Sequence, residues 1–245
     1  MRDRRAGGRL RRHARFTWSW GMGILVVALL IAGLLLPFTF VQFFNFLIHR
    51  STAATVWAIW VILIAIVGLG WVAQRLFNLS DRAAQGASGE EQVGTALESL
   101  RALGWHVFHD LPLVRVGNID HLLIGPPGIF IVETKSHRGR ITCSGTQLLR
   151  NGKVLEKDFI RQVKAQSAAL NRLLQQQLRQ NRYIQPIVCF SQALVQIPGN
   201  RVENVWVLPL QWLLPTLQRQ PARLQPIQIQ QLSACIAVLF GRMKP

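Results

Sequence analysis

Residues 118–135 read NIDHLLIGPPGIFIVETK: two apolar, β-rich runs, 118–125 and 129–135, joined by Pro126, Pro127 and Gly128. β-Branched and aromatic residues bounded by Asn, Pro and Gly are the signal of a β-hairpin. If residues 125–128 form a four-residue loop, Ile124 faces Ile129. The same antiparallel register then sets Asp120 opposite Glu133 and Asn118 opposite Lys135. Opposed side chains have Cβ atoms about 5 Å apart, so two carboxylates there repel unless something positive lies between them. Side chains alternate with period two, which brings Glu133 and Lys135 out on one face. Two arrangements answer the repulsion: a metal ion shared by the carboxylates, or an ion pair from Lys135 to Asp120 or Glu133 at a sheet edge.

Upstream of the hairpin, residues 88–104, SGEEQVGTALESLRALG, place Val93, Leu97 and Leu100 on one helical stripe with a stop at Gly104. Ser88 and Glu91 have capping-box spacing, which accounts for Glu91 at a helix start. Glu90 falls three and seven residues before Val93 and Leu97, on the core-facing stripe, where a carboxylate needs a partner. The alternative is an exposed Glu90 in the first helical turn, favoured by the helix dipole. Residues 105–114, WHVFHDLPLV, add a strand, so the three runs read as a meander.

Downstream, residues 136–157 are basic and predict one or two further strands with turns at Gly139, Gly145 and Gly152. From Asp158 a long helix is expected, with Phe159, Gln162, Val163, Gln166, Leu170 and Leu173 on one broad face. Gln162 then points inward near the helix start, either as a buried amide capping sheet carbonyls or as part of a site. IQPIVCFS (184–191) and ENVWVLPL (203–210) read as two more strands, the first apolar enough to be central. Residues 211–242 give two helical stretches interrupted by prolines.

The N-terminal third has a different character. Residues 18–40 and 51–73 are both free of charged side chains and long enough to cross a hydrocarbon core of roughly 30 Å as helices. They predict a transmembrane hairpin. The first run exceeds a signal-peptide core of about 7–15 residues, and no small-x-small cleavage site precedes the second. Seven arginines lie within residues 1–15, against Arg50 alone in the intervening loop, so both termini are expected in the cytoplasm. The expected organisation is a basic N-terminus (1–15), a membrane hairpin (16–75), a polar linker (76–87) and a soluble domain (88–245).

The formal charge is +17, and removing the seven arginines and one aspartate of residues 1–15 leaves +11. The basic excess therefore extends through the chain and suits contact with phosphates, of nucleic acid or of an anionic lipid surface. Cys143, Cys189 and Cys235 are odd in number and lack CxxC spacing, which argues against a disulfide framework or zinc site. The histidines lack ligand-like spacing, and His121 alternates away from Asp120 as a packing or surface residue. Two helices without an intramembrane charge offer no ion path, which disfavours a transporter.

Glu90 in a helix, Asp120 and Glu133-x-Lys135 on a hairpin, and Gln162 in a later helix form an ordered series. This series, carried by GEEQVGTAL, NIDHLLIGPPGIFIVETKSHRGRI and DFIRQVKAQSAAL across residues 86–172, resembles the nuclease-related (NERD) domain. That family is related to the PD-(D/E)xK, or restriction-endonuclease-like, nucleases. The resemblance implies an α/β fold with a mixed sheet flanked by helices. It implies that Asp120 and Glu133 bind magnesium or manganese with Glu90 completing the site. Lys135 would orient the attacking water or stabilise the charged transition state, and Gln162 would support the site. Asn118 stands where the family pattern has glutamine, and no proline precedes Gln162. The expected function is metal-dependent phosphodiester hydrolysis of nucleic acid, DNA before RNA, at the cytosolic face of the inner membrane. The alternative is a tethered module of the same fold that binds nucleic acid or protein without hydrolysis.

Overall fold

The computed structural model describes residues 53–242 together with positions 37, 40, 41, 44 and 45. The N-terminal arginines and, apart from positions 37 and 40, the first expected span lie outside these residues. One described helix, α1 (Ala53–Glu98), is long and apolar enough to cross a membrane. An 18-residue window there has mean hydropathy 1.8, with 6% of it buried. The second expected span falls in this helix from Ala53 onward. The two-span hairpin is thus reduced, among the described residues, to one candidate span.

The expected linker is also revised, because residues 76–87 are helical and run without a break into residues 88–98. Asn78, Ser80, Asp81 and Gly86 are modest helix formers, but no proline interrupts them, and the Leu, Arg, Ala and Gln around them propagate the turn. Ser88 and Glu91 consequently sit inside α1, and the capping-box start does not exist.

Contacts divide the described residues into two compact units, with the boundary between Ala84 and Gln85. In the first, Trp57, Trp60, Ile64, Val67 and Trp71 are exposed, and the Arg75 guanidinium lies 5.2 Å over the Trp71 ring. In the second, α1 ends in a 3₁₀ turn, Ser99–Leu103, closed by Gly104 in the left-handed region at φ 80 as its position predicts. Strands β1 (His106–Leu113), β2 (Gly117–Gly125) and β3 (Gly128–Ser144) form the expected antiparallel meander. β3 is longer than predicted: Gly139, expected in a turn, lies within the strand, while Gly145 and Gly152 do occupy turns around β4 (Gln147–Arg150) and β5 (Lys153–Val154).

Helix α2 (Phe159–Leu178) begins where predicted, with the Asp158 carboxylate accepting from the Arg161 backbone N–H at 2.9 Å. β6 (Ile184–Val195) pairs parallel with β3 and with β8 (Val205–Pro209), which makes it central as expected, and β7 (Arg201–Val202) closes the edge. α3 (Leu210–Gln218) and α4 (Pro226–Arg242) complete the chain. The result is an α/β fold with a mixed eight-stranded sheet between helices.

Strand alternation sorts the core onto two faces. Ile129, Ile131, Val188 and Phe190 pack with α2 and α4, while Phe130, Val132, Ile187 and Cys189 pack with the end of α1 and with α3. Val93, Leu97 and Leu100 are fully buried in the second cluster. On α2 the innermost turn carries Leu174 rather than the expected Leu173, which packs at the margin.

Candidate functional site

The β2–β3 hairpin has the register read from the sequence, with Gly125 opposite Gly128 and Ile124 opposite Ile129. A Cβ on Gly125 would come within 2.2 Å of the Trp105 indole, so only glycine lets that ring close over the turn. The ladder stops at His121 and Val132, one pair short of Asp120 and Glu133. On the other side of β2, pairing passes from His109↔His121 to Leu111↔Ile119 and leaves out Asp110, which is left-handed at φ 50. The apolar side chains change face across this irregularity: Val107 packs toward α1, Leu111 toward α2. Asp120 sits at that crossing, outside both ladders.

There the Asp120 carboxylate accepts the Thr134 backbone N–H at 2.8 Å. Its pKa is raised well above the usual carboxylate range, first by desolvation and then by Glu133 and Glu90, with Lys135 and the Thr134 N–H opposing. Glu133, Glu90 and Lys135 are therefore close enough to Asp120 to act on its charge. Glu90 is buried, not exposed in a first turn. Its seat depends on Gly89, where a Cβ would lie 2.7 Å from Ser191 Oγ and 2.8 Å from Ser136 Cβ, so α1 can approach the sheet only without a side chain there.

Glu133 is 3% exposed and accepts from three side-chain donors. Lys135 Nζ donates to Oε1 at 2.5 Å, Gln162 Nε2 to Oε1 at 2.7 Å and Gln166 Nε2 to Oε2 at 2.9 Å. The Lys135 ammonium also lies 4.4 Å over the Phe159 ring. Gln162 therefore turns to the site, not to sheet carbonyls. Gln166, whose role the sequence reading missed, also donates to the Asn118 carbonyl at 2.8 Å, and its Oε1 is buried without a partner. The signal was available: a second glutamine one turn after Gln162 on an otherwise apolar face.

Lys135 and Glu133 form an ion pair. Among the described residues no three His, Cys, Asp or Glu side chains stand close enough to share one ion. The local chemistry nevertheless fits a hard divalent cation. Asp120 is crowded by two neighbouring carboxylates, and the unpartnered Gln166 Oε1 adds another oxygen beside Glu133. Asp120 and Glu133, a pair rather than a set of three, are the side chains that would hold it.

Behind the hairpin, His109 and His121 meet with Nδ1 atoms 2.8 Å apart, an encounter that strand alternation alone did not reveal. Burial, and then His109, push His121 well below the ordinary imidazole range, so its ring is neutral. Burial likewise raises the Cys189 thiol to about 12, which removes it as a nucleophile.

Residues 85–191, which contain all of these groups, match the family model of the nuclease-related domain. This segment is a nuclease-related domain. It gives the chain a nuclease-like character in general terms, and the domain takes in the last turns of α1, the hairpin, the basic β3–β5 segment, α2 and the first part of β6. No curated protein and no solved structure matches the chain.

Proposed function

We propose that the nuclease-related domain hydrolyses phosphodiester bonds of nucleic acid, DNA before RNA, using magnesium or manganese held by Asp120 and Glu133 with Glu90 alongside. The carrying observation is the convergence of Lys135, Gln162 and Gln166 on Glu133 beside an Asp120 whose ionisation is disfavoured by its carboxylate neighbours. A bound divalent cation supplies Lewis acidity, activating water and offsetting charge at the scissile phosphate. Gln162 and Gln166 fix the Glu133 carboxylate. Lys135, which lies beside both carboxylates, orients the attacking water or donates to the phosphate oxygen on which charge develops. No step needs a covalent nucleophile.

Phosphate contact falls to the segment that leaves the site along β3, where Arg138, Arg140, Arg150 and Lys153 are exposed and Asp and Glu are absent between Glu133 and Glu156. Such a surface binds nucleic acid through counterion release, with affinity falling as salt rises. The uncovered apolar stretch of α1 is the basis for a membrane tether, with the domain at the cytosolic face of the inner membrane.

A second reading has its own support. Both oxygens of Glu133 are already satisfied by protein donors, as a non-catalytic binding module would require. The discriminating experiment incubates the purified full-length chain in detergent with plasmid, single-stranded DNA and RNA across a magnesium titration, beside Asp120→Ala and Glu133→Ala. Magnesium-dependent cleavage reduced about 100-fold or more in both variants supports hydrolysis, the scale expected on losing a group that stabilises developing charge. Salt-sensitive binding without cleavage, unchanged in both variants, supports the binding module instead.

A further inference from the structure

Four side chains on the α1 side of the hairpin form an unbroken hydrogen-bonded chain. Glu98, the last residue of α1, contacts His109 Nε2 through Oε1 at 2.7 Å. His109 Nδ1 meets His121 Nδ1 at 2.8 Å, with the rings edge to face at 87°. His121 Nε2 meets Thr134 Oγ1 at 3.1 Å. The Thr134 backbone N–H donates to Asp120. A carboxylate only accepts, so His109 Nε2 donates to Glu98, and each remaining contact holds one proton between its two atoms. Each of the four ring nitrogens is used once. The outer end is fixed as well, because Arg101 donates to both Glu98 oxygens and to the Val107 carbonyl at 2.6 Å.

We propose that Glu98, His109, His121 and Thr134 are positioning residues for Asp120. They tie the end of α1 to the backbone N–H that aims its carboxylate. The need is local: Asp120 and Thr134 lie just beyond the last β2–β3 pair, so no ladder bond sets their spacing. His121 and Thr134 adjoin Asp120 and Glu133 in sequence but emerge on the opposite face, so their contact clamps the two strands from behind. Buried polar chains of this kind specify one arrangement only when every member is satisfied. The proposal rests on the reading of Asp120 as a site residue, although its primary test needs neither metal nor substrate.

Thr134→Val keeps the side-chain shape and removes the hydroxyl, while Thr134→Ser restores it. In the full-length chain, hydrogen exchange of the residue 134 amide is expected to accelerate about fivefold in Thr134→Val and to stay near the parent in Thr134→Ser, the scale of one net hydrogen bond. Circular dichroism melting verifies folding, and a variant that does not fold is replaced by His109→Gln under the same expectation. Half-saturating magnesium in the cleavage assay is expected to rise by a similar factor in Thr134→Val, with little change in kcat. Unchanged amide exchange in a folded Thr134→Val, or the same acceleration in Thr134→Ser, overturns the proposal. Accelerated exchange in a chain that cleaves nothing leaves the positioning role standing and removes the nuclease reading.

Discussion

The two strands of the β2–β3 hairpin each present one carboxylate, and their surroundings differ. Glu133 on β3 is enclosed by an ammonium and two amides, which satisfy both of its oxygens. Asp120 on β2 has a backbone donor, and desolvation with two carboxylate neighbours opposes its ionisation. One carboxylate is built into the protein, while the other stays expensive to charge. The site is therefore asymmetric: Glu133 is fixed before any ligand arrives, and a ligand that favours negative charge would act chiefly on Asp120.

Substituting Lys135 strains this asymmetry most severely. Lys135→Met removes the ammonium bonded to Glu133 and leaves a side chain of similar length against Phe159. Cleavage is expected to fall about 100-fold or more, because a donor to developing charge is lost. Divalent-cation affinity, measured by calorimetry, is expected to rise, because a like charge beside the carboxylates is gone. Affinity falling together with cleavage would show that Lys135 serves the ion rather than competing with it.

The two glutamines probe the Glu133 half. Gln166→Leu strips a buried donor from both Glu133 and the Asn118 carbonyl, at a cost of about 1–3 kcal/mol for groups left unpaired. Gln162 is partly exposed, and water can replace its amide, so Gln162→Leu is expected to cost less than about 1 kcal/mol. Urea unfolding of the two variants checks the order, and equal losses would mean that both oxygens of Glu133 are equally dependent on protein donors.

Much of this arrangement was legible in the sequence because it depends on short-range rules. The turn at Pro126 and Pro127 sets the hairpin register, and period-two alternation places Glu133 and Lys135 together. Helical spacing on α2 turns Gln162 inward and carries Gln166 with it, although the role of Gln166 emerges only once both donors are seen at Glu133. What escaped was set by longer-range geometry. The left-handed Asp110 breaks the β1–β2 ladder and changes the facing of Leu111 and Ile119, which no alternation rule anticipates. The His109–His121 contact needs cross-strand register and burial together. The helix through residues 76–87 shows the limit of composition: a polar stretch resembles a linker, but without proline the helix continues through it.

If Asp120 is the carboxylate that a divalent ion relieves, binding of Mn²⁺ must depend on pH through that group. A raised folded-state pKa gives Asp120 a stabilising contribution that is fully present below its ordinary value of 3.8 and is lost as pH rises through the raised value. An ion bound to the ionised carboxylate recovers that loss. Measured by electron paramagnetic resonance on the full-length chain, Mn²⁺ affinity is expected to climb with pH through the raised Asp120 pKa and level off above it. In Asp120→Asn, affinity is expected to be at least about tenfold weaker, the loss of one charged ligand, with that rise absent. Equal affinity and an equal pH profile in the two proteins would contradict this role and leave Asp120 as a buried structural residue.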